Sequence, residues 1–297
     1  MACMSLVEGT ETGKRTVPEQ LIGCWKRHNI VFKNGTVDRT TRVLWLQTAS
    51  GVADIRISAD RPDMRHRTGL ASCTRDELLA LAEQDCFAAT TLFDPAGTPY
   101  PTAIWPISLD LFRFQPVVSF PEPGWLEWKD NGSVMMEYAP SGAYEEDWRL
   151  LEMKPPFAIH LMKVANDAIE CLYVVGNHAV RARSRRRAIT QQLPLVDIAR
   201  RLGNDLAPIR EMLDCEFSYA ERDAASKDYV IELSTLPWLE GQKLNCNWVL
   251  NIAGGQVFAR DPDGHAWKIE SLWRSESAKL RENRSGSSPS LATTHTA

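Results

Sequence analysis

Apolar and polar residues alternate with a period of two along most of this chain, in short runs that each end at a turn signal. WKRHNIVF (Trp25–Phe32), TTRVLWLQT (Thr40–Thr48) and ADIRIS (Ala53–Ser58) come first, with Asn34-Gly35 between the first two. Successive side chains of a strand point to opposite faces, so this period suits half-buried strands, and Asn-Gly is a strong hairpin turn. Runs of the same kind follow at 86–93, 100–107, 111–114, 124–129, 133–138 and 144–151. Together they predict an antiparallel sheet with enough short strands to curl into a small barrel.

One segment breaks the alternation: in TRDELLALAEQ, Thr74 and Glu77 have the spacing of a capping box ahead of Leu78, Leu79 and Leu81, which predicts a helix. After Pro155-Pro156 the alternation begins again with PFAIHLMKVA, a turn at Asn166-Asp167, and AIECLYVVGNHAVRARS. A second helix is expected in LPLVDIARRLG, with Leu195, Ile198, Ala199 and Leu202 as its apolar stripe and Gly203 as its C-cap. CEFSYAER, DYVIELST, KLNCNWVLNI, GQVFARD and HAWKIESLW then read as strands, with turns at Gly254-Gly255 and Asp261–Gly264. The expected architecture is all-β: two antiparallel barrels, each with a short helix closing an end. Residues 21–154 form the first and 155–274 the second, between flexible ends at 1–20 and 275–297.

With 297 residues, 44% hydrophobic and 24% charged, the composition is that of a globular protein. A net charge of -4 and a pI near 5.9 argue against nucleic-acid partners or a polybasic membrane binder. The seven cysteines are odd in number and never spaced C-x-x-C, and no H-E-x-x-H occurs, so neither a disulfide framework nor a metal site is expected. No apolar run reaches membrane-spanning length and the first residues lack an apolar signal core, so a cytoplasmic location is expected. Phosphate-cradling glycine loops and a G-x-S-x-G elbow are missing from the sequence, which disfavours nucleotide-dependent and α/β-hydrolase chemistry and leaves no cofactor expected.

YEEDWRLL (Tyr144–Leu151), AIHLMKVANDAIECLYVVGNHAV (Ala158–Val180) and, more weakly, VADIRISADRP (Val52–Pro62) resemble the calycin-like double-barrel family, which includes a casein-kinase-interacting yeast protein and uncharacterised bacterial proteins. The resemblance implies two lipocalin-like barrels and carries no catalytic motif.

Candidate chemistry comes from residues sharing a strand face. Asp54 and Arg56 point one way on their strand while Ile55 and Ile57 point the other. If the isoleucines fill the barrel, the charged pair is a solvated outer face. If a helix or the other barrel covers the isoleucines, the pair lines the lumen and must be matched with each other or with a ligand. In YEEDW, Tyr144, Glu146 and Trp148 share a face, and burial between two aromatics would raise the pKa of Glu146 into the range of a general acid or base. Trp45 and Gln47 share another face and would offer a stacking surface and an amide. Six of ten tryptophans, including Trp25 and Trp105, fall in the first half, which favours it as the half with an aromatic cavity. The histidines read as satisfied structural residues, and RARSRRR (Arg181–Arg187) as a solvated strand end able to dock an acidic partner.

These features point to a cofactor-independent enzyme of cyclase, isomerase or lyase type, acting on a small apolar or planar organic substrate in the first barrel. Glu146, Arg56 and Asp54 would be catalytic, and Trp25, Trp45, Gln47, Trp105, Tyr144 and Trp148 would bind substrate. The alternatives are a carrier for a hydrophobic ligand, for which replacing Glu146 would leave affinity intact, and a protein-interaction adaptor with a filled core and a flat apolar patch. A homodimer is compatible with any of the three.

Overall fold

The alternating segments pair into two curled antiparallel sheets in the computed structural model, which describes residues 17–246, 248–253 and 256–275. The first sheet holds β1 (Gly23–Phe32), β2 (Val37–Asp38), β3 (Arg42–Gln47), β4 (Val52–Ile57), β5 (Asp85–Ala89), β6 (Leu92–Asp94), β7 (Thr102–Ile104), β8 (Asp110–Arg113), β9 (Gly124–Lys129), β10 (Val134–Tyr138) and β11 (Tyr144–Leu150). The second holds β12 (Phe157–Ala165), β13 (Ala168–Val175), β14 (His178–Arg183), β15 (Glu216–Arg222), β16 (Tyr229–Ser234), β17 (Lys243–Leu244), β18 (Val249–Ala253), β19 (Gln256–Arg260) and β20 (Ala266–Arg274). Their orders are β6-β7-β9-β10-β11-β1-β3-β4-β5-β8, with β2 on β1, and β17-β16-β15-β14-β13-β12-β20-β19-β18. Among the described residues the end strands do not pair with each other, so each sheet is a half-barrel rather than a closed ring.

The hairpin at Asn34-Gly35 forms as its sequence dictates. Gly35 takes φ 83° and the Asn34 side chain accepts from the Thr36 backbone N–H at 2.9 Å. Helix α1 (Arg75–Leu81) carries the full Thr74/Glu77 capping box, and α2 (Leu195–Leu202) ends at Gly203 with φ 61°. A third helix, α3 (Leu206–Leu213), follows at once. Instead of one helix closing an end of each barrel, the three pack on one another where the halves meet, and Arg75 Nε donates to the Gly203 carbonyl at 2.9 Å.

The halves share one core. Along β13, Cys171, Tyr173 and Val175 join the cluster that contains Trp25, Leu46, Ile55 and Ile57 of the first sheet, while Leu172 and Val174 turn into the second sheet's own cluster with Ile159, Leu161 and Trp267. His160 stacks on Tyr173 at 4.2 Å and meets Ser50 of the β3–β4 turn through Nδ1 at 3.0 Å. Arg185, in the segment read as solvated, bridges the halves. Its Nε donates to the Met212 carbonyl at 2.8 Å, and its two terminal nitrogens donate to the carbonyls of Arg113 and Phe114 at 2.8 and 2.7 Å.

At the N-terminal end, Val17 is buried and Glu19–Leu21 form a 3-10 turn whose Glu19 carboxylate takes a 3.2 Å hydrogen bond from Trp273 Nε1. Residues 1–16 and 276–297 of the expected flexible ends lie outside the described residues, as do Gly254-Gly255 of the expected turn. No helix among the described residues is long and apolar enough to cross a membrane.

Candidate functional site

On β4, Ile55 and Ile57 are fully buried in the shared core, so Asp54 and Arg56 face the concave side of the first sheet. The charged pair is therefore on the inside and matched with itself: Arg56 Nε and Nη2 donate to the two Asp54 oxygens at 2.7 and 3.3 Å. Asp54 is buried behind the guanidinium, and the Arg56 side chain keeps 31% exposure toward a cavity of about 240 Å³.

That cavity is walled by Arg56, Asp85, Arg113, Glu137, Tyr144 and Glu146 among polar groups and by Ile30, Phe87, Ile104 and Trp105 among apolar ones. Its rim is two proline-bearing segments, one around Trp105–Ile107 and one over Val118–Pro123, where Ile107 and Phe120 are exposed. Of the sequence candidates, Arg56, Glu146, Tyr144 and Trp105 line it. Trp25, Trp45, Gln47 and Trp148 lie beneath the surface as a support layer, with Asp54 behind Arg56. Trp45 meets Trp105 and Trp148 edge-on at 5.1 and 5.4 Å. Trp25 Nε1 donates to the Leu21 carbonyl at 2.9 Å. Gln47 accepts from Trp45 Nε1 at 3.0 Å and Thr91 Oγ1 at 2.9 Å, and donates to the carbonyls of Thr48 and Gly51. Its amide is committed to the fold and is not offered to a substrate.

Glu146 is ion-paired: Oε1 takes Arg27 Nη1 at 2.7 Å, and Arg27 also reaches Asp38 at 3.0 Å. The carboxyl that burial perturbs is Glu137, directly across the β10–β11 ladder from Glu146 and 4% exposed. Its oxygens accept from Trp148 Nε1 at 3.1 Å and Tyr144 Oη at 3.4 Å, with no arginine on them. Desolvation first, and then the Glu146 carboxylate opposite, push Glu137 up to about 8. Burial followed by the charges of Glu137 and Glu146 raises the Tyr144 phenol as well, so it stays protonated. Gly124 makes room for Glu137: a Cβ there would stand 2.6 Å from Oε1. Asp85, across the ladder from Arg56, is also raised by burial against the opposing pull of that arginine.

Sequence reading missed Glu137, although a signal existed. Ala139 stands opposite Tyr144 at the hairpin, its N–H bonded to the Tyr144 carbonyl. Counting two residues outward on each strand sets Glu137 against Glu146, on the same face.

The second half also has hollows, of about 520 and 310 Å³, which meet at Leu244, Trp248 and Asp261. Lys163, in the wall of the smaller one, sits 3.3 Å from Glu170 and 4.4 Å over the Trp267 ring. Asp261, Asp263 and His265 bring ligand-type atoms within 4.8 Å of one another, but Asp261 Oδ2 already accepts from Trp267 Nε1 and lies 3.8 Å from the Lys163 ammonium. This is a hydrogen-bonded turn with a cation already beside it.

No protein-family model and no curated protein matches the chain. Among solved structures, the crystal structure of the uncharacterised protein YLR301w from Saccharomyces cerevisiae is similar, with a TM-score of 0.52 and 10% identity, covering 84% of this chain and 98% of that one. At that identity the likeness is one of fold alone.

Proposed function

We propose that the first-sheet cavity carries out acid–base chemistry of isomerase, cyclase or lyase type on a small organic molecule, using the chain's own side chains. The observation that carries this reading is the Glu137–Glu146 pair. Two carboxyls face each other across a ladder, one ion-paired to Arg27 and the other pushed toward its neutral form by burial and by the carboxylate opposite. Such a split in environment is how a protein keeps a proton available on one carboxyl near neutral pH. Glu137, rather than Glu146, is the proton-moving group. As a carboxylate in the bound complex it takes a proton from one position of the substrate and, once protonated, gives it back at another, so an isomerisation or cyclisation closes with no net change. Asp54 occupies Arg56 Nε and Nη2, which leaves Nη1 to hold a substrate oxygen.

Difference infrared spectroscopy at neutral pH tests the proton assignment. The wild type is expected to show a protonated-carboxyl band that Glu137→Gln removes, and a wild type without that band refutes the role of Glu137. With a compound released from freshly purified protein as substrate, Glu137→Gln should slow turnover by about a hundredfold or more while binding persists. Unchanged turnover would reject the acid–base role, and binding without any turnover would leave a carrier.

A further inference from the structure

Resting on the reading of this cavity as the site, we infer that its occupant is an organic cation, a protonated amine on a small aromatic or apolar body. Every arginine in and behind the wall already holds a carboxylate: Arg56 holds Asp54, Arg113 holds Asp110, and Arg27 holds both Glu146 and Asp38. Three carboxyls that line the cavity, Asp85, Glu122 and Glu137, have no ion-pair partner among the described residues. The acids around the cavity thus outnumber the bases, and a buried carboxylate without a counter-charge is costly. Burial pushes Asp85 and Glu137 toward their neutral forms. A bound ammonium would supply the missing counter-charge, whereas an anion would add to the imbalance.

The apolar walls suit the same occupant. Phe87, Trp105 and Phe120 line the space, and ring faces attract a desolvated cation. The Arg113 guanidinium already lies 4.5 Å over the Phe87 ring, so a cation–ring contact is part of the wall as it stands. A volume of about 240 Å³ falls below the range for drug-sized ligands and fits one ring with a short chain.

The charge argument makes binding depend on pH. The groups that face Glu137 are Tyr144 and Glu146 on β11, Arg27 on β1 acting through Glu146, Asp54 and Arg56 on β4, and Asp85 on β5, with Arg113 and Glu122 farther out in the wall. A phenethyl ammonium, like a lysine ammonium, keeps its charge across the neutral range. Its entry favours the Glu137 carboxylate over the protonated form, so affinity should rise as pH rises.

Isothermal titration of the full chain with phenethylamine, phenethyl alcohol and phenylpropionate separates the possibilities. The amine is expected to bind about tenfold or more tightly than the alcohol, and the propionate not at all. Amine affinity should increase several-fold from about pH 6 to about pH 8, with a heat that varies with the buffer's ionisation enthalpy, the mark of proton release. Glu137→Gln and Asp85→Asn should each weaken the amine and leave the alcohol unchanged, and Asp85→Asn serves alone if the first variant does not fold. Alcohol or propionate binding as tightly as the amine overturns the cation while the cavity stands as a site. Failure of all three to bind natively folded protein overturns both.

Discussion

Glu137 shows how one side chain ties the site to the stability of the fold. Its folded pKa lies above its unfolded value, so the folded state binds the extra proton between the two. The stability this group allows is fully present below about pH 4.5 and is lost as pH rises toward about 8. Glu137→Gln keeps the shape and an acceptor for Trp148 Nε1 without the charge. It should match the wild type near pH 4.5 and exceed it near neutrality by on the order of 3 kcal/mol, from about 1.4 kcal/mol per pH unit. Urea unfolding at a series of pH values measures this, and parallel curves for the two proteins would contradict it. The chemistry of Glu146 was legible in YEEDW up to its burial and its face. What could not be read there was Arg27, distant in sequence and brought within reach only by the β1–β11 pairing, where it stands opposite Trp148. With Arg27 paired to Glu146, the buried carboxyl left without an ion pair is Glu137, across the ladder.

Among elements, the strands were the most legible because a period of two leaves its mark on every buried face. Periodicity alone could not say whether Asp54 and Arg56 faced in or out, since that turns on what covers Ile55 and Ile57. The answer is a layer built by the other half of the chain. Helix α1 was announced by its capping box, and Thr74→Ala should cost about 1 kcal/mol through the lost bond to the Glu77 N–H. Thermal unfolding would read this as a lower midpoint, and an unchanged midpoint would mean that packing alone holds the helix start. Helix α3 went unread because Asn204-Asp205 and Pro208 have the look of a loop. Yet Pro208 falls in the first turn, where a missing N–H is tolerated, and Ile209, Met212 and Leu213 supply the buried stripe.

At the scale of the molecule, the two sheets cannot be parted without exposing what lies between them. A fragment of residues 155–275 would present Cys171, Tyr173, Val175, Val180 and Phe217 to water and lose the carbonyls that Arg185 grips. It should lack cooperative unfolding, and a fragment with a sharp denaturant transition would show that the second sheet stands alone. The shared core also explains why composition and spacing revealed two similar halves but not their mutual dependence, since the joining contacts are all long-range. The β9–β10–β11 meander has a consequence for tracing kinship. Gly124, Glu137 and Glu146 are locked in one register by two ladders and two turns, so the distances between them along the chain have little freedom to drift. A glycine, then a glutamate, then another glutamate at those intervals is a local fingerprint by which the site can be sought in chains whose overall sequences have diverged too far to align.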